Sequence, residues 1–435
     1  MKNISQFRDY FPEIETLYNN KPLVYLDTAA SALKPKTIIE AANDFSLKKY
    51  SNISRGISRL SADATELYEE SRQKVLKFVT GQTGENKLLI TSGATASLNM
   101  AANYYYNKLL PKDEILLSIA EHHSNILPWM ELVKKTGAVI KWVDIDHSGE
   151  LHLSAVAEKI TSKTRVVALT HVSNITGSIT PVKDIARLVH KAGADFVLDA
   201  AQSVGHIETD FLDIDCDMAA FSAHKVYGPT GLGFLYCKNK IVENFPNFFV
   251  GGGTVDDIVL SSAIFSDSDL DANITNADKT NALNYDFELI YKDGLARLEA
   301  GTPPISQLIA FAEVIDLLNN IGLKNIENYE KLLTKKLLDL GKIPDIKILG
   351  SKNLFNRIGI ISFVSKNIHP HDLGQFLDDL GIVCRAGHNC AIPIHKRFKE
   401  NSSIRFSLGL YNNEDDIEKA IDGVKEAQKF FISKR

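Results

Sequence analysis

The chain has 435 residues, enough at about 150 residues per domain for two or three domains with a substantial core. Hydrophobic residues make up 44% and charged residues 24%, which excludes a disordered, collagen-like or disulfide-scaffold protein. A formal net charge of −5 argues against a dedicated binder of nucleic acid or anionic membrane, so the expected partner is a small molecule or another protein.

Met1 to Asp9 carries no apolar run behind its first basic residue, and no later stretch reaches the ~20 uncharged apolar residues of a membrane span. The expectation is a cytoplasmic protein without membrane contact. The four cysteines, Cys216, Cys237, Cys384 and Cys390, form no C-x-x-C pair, which fits a reducing compartment and speaks against a zinc site.

From about Lys87 to Cys237, short apolar runs predict strands at Leu88 to Ile90, Ile115 to Leu117, Val139 to Val143, Arg165 to Thr170, Phe196 to Leu198 and Leu232 to Tyr236. Between them, helical spacing of apolar residues predicts helices over Thr95 to Lys108, Ser124 to Thr136, Leu153 to Ile160 and Val182 to Ala192. This alternation implies an α/β fold with a mostly parallel sheet covered by helices, in a large domain spanning residues 23–301. After Gly301-Thr302-Pro303-Pro304 come two long amphipathic helices, Ile305 to Ile321 and Lys324 to Leu340, then shorter strands and a helix from Glu414 to about Phe431. They predict a smaller α+β domain over 302–435, to which the segment 1–22 is expected to contribute. Ser261 to Lys279 is rich in Ser, Asp and Asn and reads as an exposed insertion. Its D-x-D spacing lacks the central glycine and terminal glutamate of a calcium loop.

Lys225 stands in Phe221-Ser222-Ala223-His224-Lys225-Val226-Tyr227-Gly228-Pro229, ahead of a predicted strand, and Asp199 ends the run Val197-Leu198-Asp199. Pyridoxal phosphate chemistry needs such a pair: a lysine to hold the aldehyde as a Schiff base, and a carboxylate to keep the pyridine nitrogen protonated. Taken alone, Asp199 is more readily a helix cap and Lys225 a surface lysine, because strand-end carboxylates and surface lysines are common. Thr91-Ser92-Gly93-Ala94-Thr95 joins a strand to a helix, so a phosphate can rest on backbone N–H groups there and on the Thr95 hydroxyl, although an ordinary N-cap has the same look. Glu121-His122-His123-Ser124-Asn125 offers two histidines without a third or fourth ligand at metal spacing, so stacking of one imidazole on a flat ring is at least as good a reading as a zinc ligand. Cys216, Cys237 and Cys384, flanked by strand-like residues, read as small buried hydrophobes. Cys390 lies instead in a Gly- and Pro-bounded loop with Arg385 and His388 near, the setting of an attacking thiolate.

Taken together with Tyr25-Leu26-Asp27-Thr28-Ala29-Ala30, Arg55-Gly56-Ile57, Thr170-His171-Val172-Ser173-Asn174, Arg297-Leu298-Glu299-Ala300-Gly301-Thr302-Pro303 and Arg385-Ala386-Gly387-His388-Asn389-Cys390-Ala391, these motifs resemble the SufS-type, or group II, cysteine desulfurases. The likeness runs in order through nearly the whole chain. It implies the class V aminotransferase fold (fold type I of the pyridoxal phosphate enzymes), a homodimer, and conversion of L-cysteine to L-alanine with a persulfide left on the enzyme for a sulfur-acceptor protein. By the same resemblance Lys225 carries the cofactor, Asp199 pairs with its ring nitrogen, His123 stacks on the ring and Gln202 reaches the phenolic oxygen. Thr95, Ser222 and His224, with the backbone at Ala94, would hold the phosphate, and Thr302 would reach it from the second subunit. Asn174, beside the cofactor, and Arg405 would take the substrate carboxylate, a guanidinium matching it bidentately. Cys390 would be the nucleophile, with Arg385 beside it. No metal is implied.

The chain departs from the family pattern at Ser54 and Ser58, at Ala96 and at Asn389, where a histidine, a glutamate and a second histidine usually stand. The stretch from Gly251 to Arg297 is about twice the family length, which places Ser261 to Lys279 as a lineage insertion. Alternative readings on the same fold are a selenocysteine lyase or another class V lyase or epimerase; a thiol in a mobile loop has no use in an epimerase. A non-catalytic sulfur-delivery scaffold would not need both Lys225 and Asp199.

Overall fold

A computed structural model describes residues 4–54, 56–82, 86–260 and 287–433. The insertion expected at Ser261 to Lys279 lies outside the described residues, as does Arg55.

The centre of the molecule is a seven-stranded sheet. In chain order its strands are β1 (Lys87–Thr91), β2 (Glu114–Ser118), β3 (Val139–Val143), β4 (Thr164–Thr170), β5 (Asp195–Asp199), β6 (Met218–Ser222) and β7 (Gly233–Cys237), arranged β1-β7-β6-β5-β4-β2-β3. β7 is antiparallel to both neighbours, and the other adjacent pairs are parallel. Six strands therefore run the same way, and their C-terminal ends share one edge, where open α/β sheets bind ligands. The inner strands read as nearly unbroken apolar runs because helices cover both faces: Leu169, Phe196 and Phe221 pack into one cluster, while Ala168, Val197 and Ala220 pack into the other; the edge strand β3 is mostly exposed. All six strands expected from the sequence are present. β6 is additional, and its two alanines, Ala219 and Ala220, gave it a weak apolar signal although every residue in it is buried.

Helix Arg59–Thr80, 22 residues long, also had no counterpart in the sequence reading. Its signals are local: the Ser58 hydroxyl caps it by accepting from Ser61 N at 3.2 Å, and Gly81 ends it at φ 68° in the left-handed region. The helix expected to start at Ser124 begins as a short 3-10 turn, His123–Asn125, followed by Leu127–Thr136.

Beyond helices Ile305–Ile321 and Leu323–Leu337, a four-stranded antiparallel sheet runs in the order Ile346–Leu349, Ile360–Ser365, Ser403–Ser407, Arg385–Gly387. Phe363 and Phe406 from this sheet pack against Leu373 and Leu377 of helix Pro370–Asp379 and against Ile417 and Val424 of helix Glu414–Ser433. Near the N-terminus, Val24–Tyr25 pairs in parallel with Ile382–Val383, which draws Asp27 toward this second sheet. An antiparallel hairpin, Val255–Leu260 with Phe287–Tyr291, stands apart from both sheets. No described helix is long and apolar enough to cross a membrane.

Candidate active site

At the C-terminal edge of the large sheet lies a cavity of about 320 Å³, lined by Ala94, Thr95, His122, Asn174, Asp199, Gln202, Ser222, His224, Lys225, Arg385, Cys390 and Arg405, among others. Its residues come from strand ends and the turns after them: Asp199 closes β5, Ser222 closes β6, and Lys225 ends the 3-10 turn Ala223–Lys225 that follows. A second, larger cavity of about 810 Å³ contains Thr302 together with Ser54, Tyr68, Arg72 and Phe249. Within one chain, Thr302 is thus exposed and lies away from Lys225.

Lys225 has its pKa lowered to about 8, first because burial disfavours its charge; Asp199 opposes that shift and Arg405 adds to it. Burial pushes Asp199 up from the usual carboxylate range, although its Oδ1 accepts the Ala201 N–H at 3.0 Å. Gln202 donates from Nε2 to the Ala29 carbonyl at 2.9 Å, leaving its buried Oε1 without a protein partner. Asn174 similarly donates from Nδ2 to the Asn389 carbonyl at 2.8 Å, leaving Oδ1 unpartnered.

The turn before helix Ala94–Tyr104 supplies the polar floor. Gly93 adopts φ 154°, and a Cβ there would sit 3.4 Å from the Ser222 hydroxyl, which itself accepts the Ala94 N–H at 2.7 Å. The Thr95 hydroxyl lies 2.8 Å from that of Ser124.

The two histidines part company. His122 lines the cavity with Lys225, and burial holds its pKa down at about 3, so its ring is neutral. His123, expected from the sequence to face the cofactor, instead turns to the Cys390 loop: its N–H donates to the Cys390 carbonyl at 2.8 Å and its Nε2 accepts from Ile392 N at 3.2 Å. The reason is the backbone. His122 is extended (φ −65°, ψ 148°) and its own Nδ1 caps the turn by accepting from Ser124 N at 3.1 Å, so His123, the first residue of that turn, projects elsewhere. Beneath them Glu121 is fully buried between Ser118 and Asn125, and burial raises its pKa to about 8.

Cys390 is exposed, whereas Cys216 and Cys237 are buried and Cys384 is intermediate. Asn389 and Cys390 both have left-handed backbones, φ 50° and 53°, a conformation that costs non-glycine residues of order 1 kcal/mol each and persists only where the surroundings enforce it. Here the enforcing contacts are those of Asn174 and His123 to the two carbonyls.

Arg385 grips Asp27 with two nitrogens, Nε at 3.0 Å and Nη2 at 2.8 Å from Oδ2, and Arg405 reaches Oδ1 of the same carboxylate at 3.2 Å. Asp27 carries no assigned role in the sequence reading. Its signal is the same as that of Asp199, a carboxylate placed just past a short apolar strand. Among the described residues no group of three His, Cys, Asp or Glu is arranged to hold a metal ion.

A partly buried lysine sharing a cavity with a buried carboxylate at the sheet edge, beside a small-residue helix N-terminus, is the arrangement of a fold type I enzyme site, and the family comparison agrees with it. Residues 24–420 match the aminotransferase class-V family, and the chain belongs to that family. Its relatives are more specific. A probable cysteine desulfurase of Halalkalibacterium halodurans is 35% identical over 99% of both chains. The apo structure of a cysteine desulfurase from Thermococcus onnurineus NA1 superposes with a TM-score of 0.84 at 33% identity, covering 96% of this chain and 98% of that one. The cysteine desulfurase CsdA of Escherichia coli, in an S-sulfonic acid form, gives a TM-score of 0.85 at 28% identity, covering 99% of this chain and 100% of that one.

Proposed function

We propose that this protein is a pyridoxal phosphate-dependent cysteine desulfurase of the SufS type, converting L-cysteine to L-alanine and holding the released sulfur as a persulfide on Cys390. The observation that carries this reading is that an exposed thiol, Cys390, shares one cavity with Lys225, Asp199 and Arg405. An epimerase has no use for that thiol.

The cavity suits the cofactor because it holds buried polar atoms that the protein leaves unsatisfied, the Gln202 Oε1 and Asn174 Oδ1, and such atoms are costly without a partner. Lys225 would bind the aldehyde, Asp199 the ring nitrogen, and Ala94 N, Thr95, Ser222 and His224 the phosphate. When bound, the cofactor supplies an electron sink that acidifies the substrate Cα–H. His122, not His123, would stack on the ring in this reading, and its neutral state suits that contact.

The chain's own residues then account for the reaction. Arg405, with the second N–H of the Asn174 amide, would receive the substrate carboxylate. Lys225, with a pKa near 8, is partly neutral at physiological pH and so accepts and returns a proton at Cα. The Cys390 thiolate attacks the substrate sulfur: the new S–S bond forms as the Cβ–S bond breaks, and Cβ gains the proton that completes alanine. The persulfide passes to a sulfur acceptor.

We further infer a homodimer, because Thr302 serves a phosphate only across an interface, and a cytoplasmic location. The division at 301/302, with residues 1–22 joining the smaller C-terminal part and an insertion at 261–279, belongs to the same reading. The test is to incubate the purified protein with pyridoxal phosphate and L-cysteine and quantify alanine and sulfide together. After borohydride reduction, the cofactor should map to the Lys225 peptide. Cofactor on another lysine, or no alanine, overturns the reading; activity with L-selenocysteine alone favours a selenocysteine lyase.

A further inference from the structure

The turn that delivers Lys225 is only three residues long, so the main-chain carbonyl of His224, one position earlier, has no helical partner to accept from. The N-terminal segment fills that gap. Ala32 N donates to this carbonyl at 2.9 Å, Lys34 Nζ at 3.1 Å and the Ser31 hydroxyl at 3.4 Å. Lys34 Nζ also donates to the Ala32 carbonyl at 2.6 Å, so one ammonium ties the two chain segments together. Behind it, the Tyr25 hydroxyl donates to the Ser31 carbonyl at 2.8 Å and keeps the segment in place.

Lys34 is unusual for a lysine. It is partly buried, and among the described residues its ammonium has two carbonyl partners and no ion pair. Burial lowers its pKa to about 8, against the pull of Glu13. Desolvating a charge without a carboxylate is costly, and a surface lysine would avoid it. A lysine does suit the last carbonyls of a helical turn, where it satisfies an acceptor and complements the local dipole.

We propose that Lys34 is a positioning residue for Lys225, fixing through the His224 carbonyl the turn from which the Lys225 amine enters the cavity. The proposal rests on the reading of Lys225 as the reactive amine. Asp199, Cys390, Arg385, Arg405, His122 and His224 are the titratable and charged groups that interact electrostatically with Lys225. Lys34 acts instead on where the main chain holds it.

The test uses the full chain without cofactor. Competitive acetylation at a series of pH values, read by peptide mass spectrometry, gives the titration of Lys225 itself. In Lys34→Met the loosened turn lets water reach Lys225, and its titration moves up by about half a unit, which lowers labelling near neutrality about threefold. Lys34→Arg, which keeps a cationic donor, restores the wild-type titration. In the loaded enzyme Lys34→Met lowers kcat while the KM for L-cysteine holds, because Arg405 and Asn174 are untouched. A Lys34→Met protein with the wild-type Lys225 titration, even if it melts earlier, overturns the proposal and leaves Lys34 a structural cap. Should Lys34→Met not fold, Lys34→Gln, too short to span both carbonyls, takes the same test with the same expectation. If wild-type Lys225 takes up no pyridoxal phosphate, the failure lies with the reading of the site; if it does, and the variants titrate as wild type, the failure is of this proposal alone.

Discussion

Arg385 and Arg405 are direct partners across an antiparallel strand pair, and both guanidiniums reach one carboxylate, that of Asp27. Two cations against one anion leave a net positive charge in a cavity whose proposed substrate carries a carboxylate. Arg405 is buried, with a side chain 3% exposed, while Arg385 is 48% exposed, so the pair is asymmetric: one residue is fixed and the other faces the opening.

Removing the shared anion strands both cations. Asp27→Ala is expected to destabilise the protein by about 3 kcal/mol, the usual cost of breaking a buried pair, read as a shift of the urea midpoint. Arg405→Lys keeps the charge but loses the fork geometry, and the KM for L-cysteine should rise about tenfold, the equivalent of one charge-assisted hydrogen bond. An unchanged KM in Arg405→Lys would remove Arg405 from the substrate site.

Cys390 is exposed, so Cys390→Ala should leave the melting temperature unchanged while alanine formation from L-cysteine falls below detection. Brief exposure of the wild-type protein to L-cysteine should add ~32 Da to the Cys390 peptide, as sulfur on an accessible thiolate. Alanine produced by the variant at the wild-type rate would eliminate Cys390 as the nucleophile.

The neighbouring histidines separate two roles. His122→Ala should lower kcat by about tenfold, the equivalent of a lost aromatic ring contact. His123→Ala should act through the Cys390 loop, whose Cys390 peptide becomes more accessible to proteolysis, with a smaller effect on kcat. The reverse order of effects would return the ring contact to His123.

Glu121 makes stability depend on pH. Its folded pKa is raised from 4.5 to about 8 by burial, so its protonated form favours the folded state. That stability is fully present below pH 4.5 and is lost as pH rises through about 8. Glu121→Gln imitates the protonated carboxyl, and its urea midpoint should fall less than that of the wild type between pH 6 and about 8.5. Parallel pH profiles would mean that Glu121 does not hold its proton in the folded protein.

Much of the site is local enough to read along the chain. Lys225 after Ser222-Ala223-His224, Asp199 at the end of an apolar run and Cys390 in its polar loop are each marked by residues within a few positions, and the structure brings these three into one cavity. The inner strands of the large sheet were legible because burial on both faces demands continuous apolar runs. Strand Met218–Ser222 escaped because alanines carry little apolar signal, and helix Arg59–Thr80 because its polar face dilutes its period, although Ser58 and Gly81 mark its ends.

What only the tertiary structure decided is direction and distance. Whether His122 or His123 enters the cavity depends on one turn's dihedral angles, which two identical neighbouring side chains do not encode. The meeting of Asp27 with Arg405 joins positions 378 apart, and Lys34 reaches His224 across 190. The first of these lies beside the pairing of Val24–Tyr25 with Ile382–Val383, a contact between distant parts of the chain. Sequence by itself determined which chemical groups this protein owns; the packing of its two sheets determined which of them touch, because side-chain contact is set by backbone path and not by order along the chain.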